Sequence, residues 1–116
     1  MNRESILAYA ADQFGTQPDY PWGKDAGSTV LRHANRKWYA LVIDVPAEKL
    51  GLPGKHIAHV LNVKTDPDDA LFLKHQDGIL PAYHMNKQHW VSVVLNNTVP
   101  DDVVRSLIDT SYRLTK

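Results

Sequence analysis

The residues best equipped for chemistry stand together at Tyr83-His84-Met85-Asn86-Lys87-Gln88-His89-Trp90. Cationic, amide and aromatic groups are concentrated there. Such groups contact nucleic acid in distinct ways: lysine and histidine meet phosphates, Asn86 or Gln88 can reach base edges, and aromatics stack on bases. A structural role is the competing expectation. In it Tyr83 and Trp90 pack into the core, Asn86 and His84 brace a turn, and Lys87 is solvated. Tyr20 and Trp22 form a second aromatic pair in a Pro/Gly-rich stretch, where aromatics ordinarily pin a loop to its domain.

Other chemistries find less support. The chain has six histidines and no cysteine. His56 and His59 are three apart, which a strand directs to opposite faces. His84 and His89 are five apart, a poor match on a helix, and His75 could join them only in space. Without H-E-x-x-H or thiolates no metal or cofactor is expected. Asp66, Asp68 and Asp69 could pair as carboxylates, yet helix capping and the helix dipole already account for them. There is no phosphate-binding glycine loop and no G-x-S-x-G, and no nucleophile–base pair can be named, so the chain reads as a non-enzyme.

Composition narrows the classes further. The 116 residues carry 13 Lys+Arg against 13 Asp+Glu, a formal net charge of zero, with 43% apolar residues. That suits a single soluble domain over 1–116 and argues against a strongly basic coat protein. A basic patch would have to arise by folding, which can segregate the two signs. The lack of cysteines fits a cytoplasmic protein. No apolar run approaches a membrane span, and Asp12 and Gln13 interrupt any signal-like segment after Ile6–Ala11.

The elements that must position these groups can be read from the same sequence. Asn2 caps a first helix whose inner face is Ile6, Leu7, Ala10, Ala11 and Phe14, and Gly15 ends it. Strands are expected at 29–32 and 38–45, joined by a tight turn in which Asn35 takes the left-handed conformation. A third follows at 57–63, buried on at least one face. Asp66-Pro67 opens a second helix with Ala70, Leu71, Phe72 and Leu73 on its apolar side and Gly78 as terminator. Ile79-Leu80 offers a short strand, and Trp90–Leu95 a strong one. Asn96-Asn97 turns the chain into a last helix at Pro100, with Val103, Val104, Leu107, Ile108 and Ser111 or Tyr112 inward. The order α-β-β-β-α-β-α predicts an α+β fold with a mainly antiparallel sheet and three helices.

Several of these segments together resemble a known family. Pro81-Ala82-Tyr83-His84-Met85-Asn86-Lys87-Gln88-His89-Trp90 is similar to the P-G-Y-H-[LM]-N-K-x-H-W signature of the MmcQ/YjbR family. Lys64–Ala70 resembles its K-x-D-P-x-x-A helix start, Leu107–Tyr112 its L-I-D-x-S-Y ending, and Tyr20-Pro21-Trp22-Gly23 its early Y-P-[FW]-G. The resemblance implies a frataxin-like, double-wing α+β fold and a DNA-binding or regulatory role. The positions that carry over are His84, Asn86, Lys87, His89 and Trp90. Ala82 stands where the family often has Gly, Val91 where a polar residue is frequent, and Gln88 where Arg or Lys is common, which removes a charge from the implied DNA surface. Frataxin-type iron binding uses an acidic first helix. Here that helix offers only Glu4 and Asp12, so no iron is expected.

Two functions follow as expectations. The first is double-stranded DNA binding by a bacterial monomer or weak homodimer. The second is a small-molecule or protein-binding module, with Tyr20, Trp22, Tyr83 and Trp90 lining one pocket.

Overall fold

Asn2 begins the first helix, α1 (Arg3–Phe14), by a reciprocal cap. Its side chain accepts from Ser5 N–H at 2.8 Å, and Asn2 N–H donates back to Ser5 Oγ at 2.9 Å. Gly15 stops the helix at φ 66°, which a residue without Cβ adopts freely. The computed structural model describes residues 1–116. After α1 come β1 (Ser28–Arg32), β2 (Trp38–Pro46), β3 (Ile57–Lys64), α2 (Pro67–Leu73), β4 (Ile79–Pro81), β5 (Trp90–Val94) and α3 (Asp101–Leu114). This is the expected α+β order, with the short Ile79–Pro81 strand added. The five strands form one antiparallel sheet in the order β1-β2-β3-β5-β4.

Alternation along the strands divides the apolar residues between two faces. One face carries Leu31, Ala40, Val42, Leu61, Val63, Ile79, Val91 and Val93. It packs against Ile6 and Ala10 of α1 and Val104 and Ile108 of α3. Burying each valine, leucine or isoleucine among them is worth about 1.5–3 kcal/mol, so Val104 and Ile108 do much to hold α3 on the sheet. The other face carries Val30, Leu41, Ile43, Val45, Ala58 and Val60, with Trp38, Leu50 and Tyr83 packed on them. No α-helix contributes to that second cluster. Its cover comes from Leu50, in the short 3-10 turn Ala47–Leu50, and from Tyr83, in the loop between β4 and β5.

Three local expectations are corrected. The β1–β2 turn places Arg36, not Asn35, in the left-handed region at φ 74°. His33 pairs with Lys37 across a three-residue loop, and such loops put their last residue there. Asn35 instead accepts from Lys37 N–H at 3.0 Å. The second helix ends at Leu73 rather than running toward Gly78, because His75 and Gln76 bond three residues back and tighten the chain into a turn. Its apolar side is also narrower than expected: Ala70 is buried, while Leu71 is 65% and Phe72 74% exposed. A helix this short meets the sheet along one line, and those two residues fall off it.

Candidate functional site

The loop 82–89 is fixed at its start by side chains of the helix-free face and at its end by the backbone just after β3. Asn62 and Ser92 are neighbours across β3 and β5, and both are fully buried. Ser92 Oγ accepts from Tyr83 N–H at 2.9 Å and donates to Asn62 Oδ1 at 2.5 Å, and Asn62 Nδ2 donates to Tyr83 C=O at 3.0 Å. A buried polar pair is costly unless satisfied, and here the loop backbone satisfies it. At the far end Thr65 N–H donates to His89 C=O at 2.7 Å.

Between these anchors Asn86 organises the turn. Its Oδ1 accepts from Gln88 N–H at 2.9 Å and from His89 N–H at 3.3 Å, and its carbonyl accepts from Trp90 N–H at 2.9 Å. Asn86 therefore does the bracing work of the structural expectation. His84 stands at φ 58°, exposed, with its ring 4.0 Å from Tyr83.

The loop separates two clefts. The first, about 360 Å³, is lined by Lys49, Leu50, Leu80–His84 and Lys87. The second, about 440 Å³, is lined by Lys37, Trp38, Lys64, Met85, Trp90, Leu114, Thr115 and Lys116. Five lysines thus line the two clefts, with no acidic side chain among the lining residues. Three acidic groups are paired elsewhere. Asp44 accepts from Arg3 at 2.9 Å and lies 2.6 Å from His59 Nδ1, Asp19 pairs with Arg32 at 2.7 Å, and Asp101 with the N-terminus at 2.7 Å. A chain with zero net charge has therefore built two cationic clefts.

Of the residues singled out from sequence, His84 and Lys87 share the first cleft and Trp90 lines the second, while Asn86, Gln88 and His89 line neither. The early aromatics part company. Trp22 meets Trp38 edge-on with centroids 5.9 Å apart. Tyr20 lies in another cleft with Arg3, Lys24 and Asp44, because the Asp19–Val30 bridge carries the loop toward that side. The expectation that Tyr20, Trp22, Tyr83 and Trp90 line one pocket is corrected accordingly. Tyr83 packs on the second apolar cluster as the structural expectation had it; Trp90 joins neither cluster.

Lys37, Trp38, Lys49 and Lys116 belong to none of the motifs in the sequence, and Lys64 stands out there only as the first residue of the helix-start motif. They are scattered along the chain, and the β1–β2 turn, the 3-10 turn Ala47–Leu50, the β3 end and the α3 end bring them beside the loop. His56 and His59 line a further cleft, and no group of three His, Cys, Asp or Glu side chains is placed to hold a metal ion. No helix is long and apolar enough to cross a membrane.

The remaining signatures serve the fold. Ser111 and Tyr112 lie in the core around Tyr39, whose hydroxyl donates to Thr16 Oγ1 at 2.7 Å and is pushed up to about 12 by burial. Tyr112 stacks on Phe14 at 3.9 Å. Asp109 accepts from Tyr9 OH at 2.7 Å, and burial, aided by this bond, pushes the Tyr9 hydroxyl up to about 12.

Residues 11–114 match the model of the YjbR family. The Bacillus subtilis (strain 168) protein YyaQ is 44% identical over 117 aligned residues, spanning 100% of this chain and 99% of that protein. The Escherichia coli (strain K12) protein YjbR is 37% identical over 54 residues, 46% of each chain. A crystal structure of a Pseudomonas syringae protein superposes over 100% of both chains, with TM-score 0.96 and 44% identity. One from Deinococcus radiodurans superposes over 97% of this chain and 77% of its own, with TM-score 0.73 and 25% identity.

Proposed function

This chain belongs to the YjbR family, and for it we propose DNA binding without catalysis, through the loop 82–89 and the two cationic clefts beside it. The observation that carries this reading is the set of five lysines, Lys37, Lys49, Lys64, Lys87 and Lys116, gathered with no acidic side chain among them. Phosphate contacts release counterions, and this term supplies most affinity that is independent of sequence. His84 lies with Lys49 and Lys87 in the first cleft. Asn86 acts as a positioning residue, since its oxygen is spent on the turn. Gln88 and His89 sit on the loop as candidates for base edges.

The same proposal includes the double-wing, frataxin-like description of the fold, a cytoplasmic location, and action as a monomer or weak homodimer. A second reading, a small-molecule or protein-binding module, is favoured by the apolar wall of Trp38, Met85, Trp90 and Leu114 in the second cleft. Fluorescence anisotropy of a labelled mixed-sequence duplex at about 20 mM salt tests the first reading. Micromolar binding, weakened by Lys87→Ala and by Lys64→Ala, is expected. No binding of the duplex at that salt, with none of the same strand unpaired, contradicts DNA binding and leaves the second reading.

A further inference from the structure

Trp90 opens β5, yet it belongs to neither apolar cluster of the protein. No aromatic ring or cation lies over it, although Trp38, Tyr112 and Tyr20 all have such neighbours. A large side chain that contributes little to the core is left with an indole facing the second cleft, partly exposed. Trp38 forms part of the same cleft and is itself held in place. Trp22 meets it edge-on, and the Arg32 guanidinium lies 5.4 Å from its ring. Lys37, Lys64 and Lys116 supply positive charge beside these two indoles.

The cleft therefore combines π-surface with a cluster of cations, in a volume within the range of about 300–1,000 Å³ typical of ligand sites. A ligand that uses both has a flat aromatic part and attached anions. A duplex offers the anions only, because its bases are stacked face to face inside. An unpaired nucleotide offers both, since every base has a free π-face once unstacked.

We propose that the cleft between Trp38 and Trp90 takes an unpaired nucleotide of a single-stranded nucleic acid, its base against Trp90 and its flanking phosphates on Lys37, Lys64 and Lys116. This deepens the nucleic-acid reading above and rests on it; what it adds is the form of strand preferred.

The test compares one labelled strand of about 16 nucleotides with the same strand in duplex form, at equal low salt, by anisotropy. The strand should bind more tightly than the duplex by at least about fivefold, and an unlabelled strand should quench tryptophan emission. Trp90→Leu should cost the strand about fivefold or more and the duplex distinctly less, so that the strand preference narrows, and Trp90→Phe should keep part of the preference. The Phe variant and the quenching of the unaltered protein decide the matter if the Leu variant folds poorly. Equal affinity for strand and duplex, or a strand affinity indifferent to both substitutions, overturns this inference and leaves DNA binding standing. Binding of neither form overturns both. A nucleoside monophosphate should compete weakly, because it carries one phosphate for several lysines. Competition as strong as the strand's, at equal nucleotide concentration, overturns the assignment to a strand.

Discussion

Ser111 Oγ stands between β2 and β3 at the point where they part, donating to Tyr39 C=O at 2.5 Å and accepting from Lys64 N–H at 2.8 Å. The ladder's last direct pair is Ala40 with Val63, so the serine of α3 continues it by one step. A register shift between Leu31 and Arg32 makes this necessary. Leu31 pairs with Ala40 but Arg32 with Trp38, which leaves Tyr39 as the extra residue of a bulge. The bulge turns the Tyr39 ring into the helix-side core and leaves Trp38 on the opposite face. Ser111 thus links α3 to the backbone that presents both Trp38 and Lys64 at the candidate site.

Ser111→Ala should therefore be strongly destabilising for so small a change. Two backbone groups lose their partner, one buried and one part-buried, at a cost of about 2–3 kcal/mol. Urea unfolding should show a lower midpoint with the slope unchanged. An unaltered midpoint would mean that the relay contributes nothing.

Gly78 sits at φ 86°, and a Cβ there would stand 2.8 Å from Val99 Cγ2. Gly78→Ala should cost more than about 1 kcal/mol, from backbone strain and the clash together. Thermal unfolding checks it; a melting temperature equal to that of the unaltered chain would contradict the geometry.

Stability should fall in mild acid through His33. Its ring nitrogen Nε2 lies 2.8 Å from Thr115 Oγ1, among Tyr39 and Tyr112. Burial lowers its pKa below the usual histidine value, and the Lys116 charge lowers it further. The folded state thus disfavours the protonated ring more than the unfolded state does. The His33 contribution is complete above about pH 6.5 and is lost as pH falls through the lower folded value. Urea midpoints between about pH 8 and pH 5 should decline, and His33→Gln should flatten that decline. A midpoint that rises on acidification would contradict the sign.

Phe72→Glu and Leu71→Lys should be nearly neutral, within about 0.5 kcal/mol, since both side chains face solvent. A large loss in either variant would show that α2 packs more closely than described.

Much of this fold was legible from local chemistry. Asn2, Asp66-Pro67 and Gly15 act within a few residues of themselves, so their roles as caps and stops follow from sequence. The strand runs at Trp38 and Trp90 were equally plain from β-branched and aromatic content. Leu71 and Phe72 were misread because hydrophobicity does not say which side of a seven-residue helix meets the sheet. Arg36 was missed because the loop's length, not Asn35's tolerance, decided which residue turns. At the site, the loop 82–89 stood out as a contiguous motif. Lys37, Lys49 and Lys116 did not, since each is an ordinary lysine until folding gathers them, and Lys64 stood out only as the opening of a helix-start motif. A net charge of zero reports the sum and hides that separation.

The central claim is that these lysines form a working phosphate-binding surface. Its most direct test is the slope of log K against log salt for a duplex, from about 20 to about 200 mM, in the unaltered protein and in the triple variant Lys37→Ala/Lys64→Ala/Lys116→Ala. Five phosphate contacts predict a slope of about −4.5, and losing three of them should bring it to about −1.8. A slope near zero in the unaltered protein, or one that the triple variant leaves unchanged, would contradict the account.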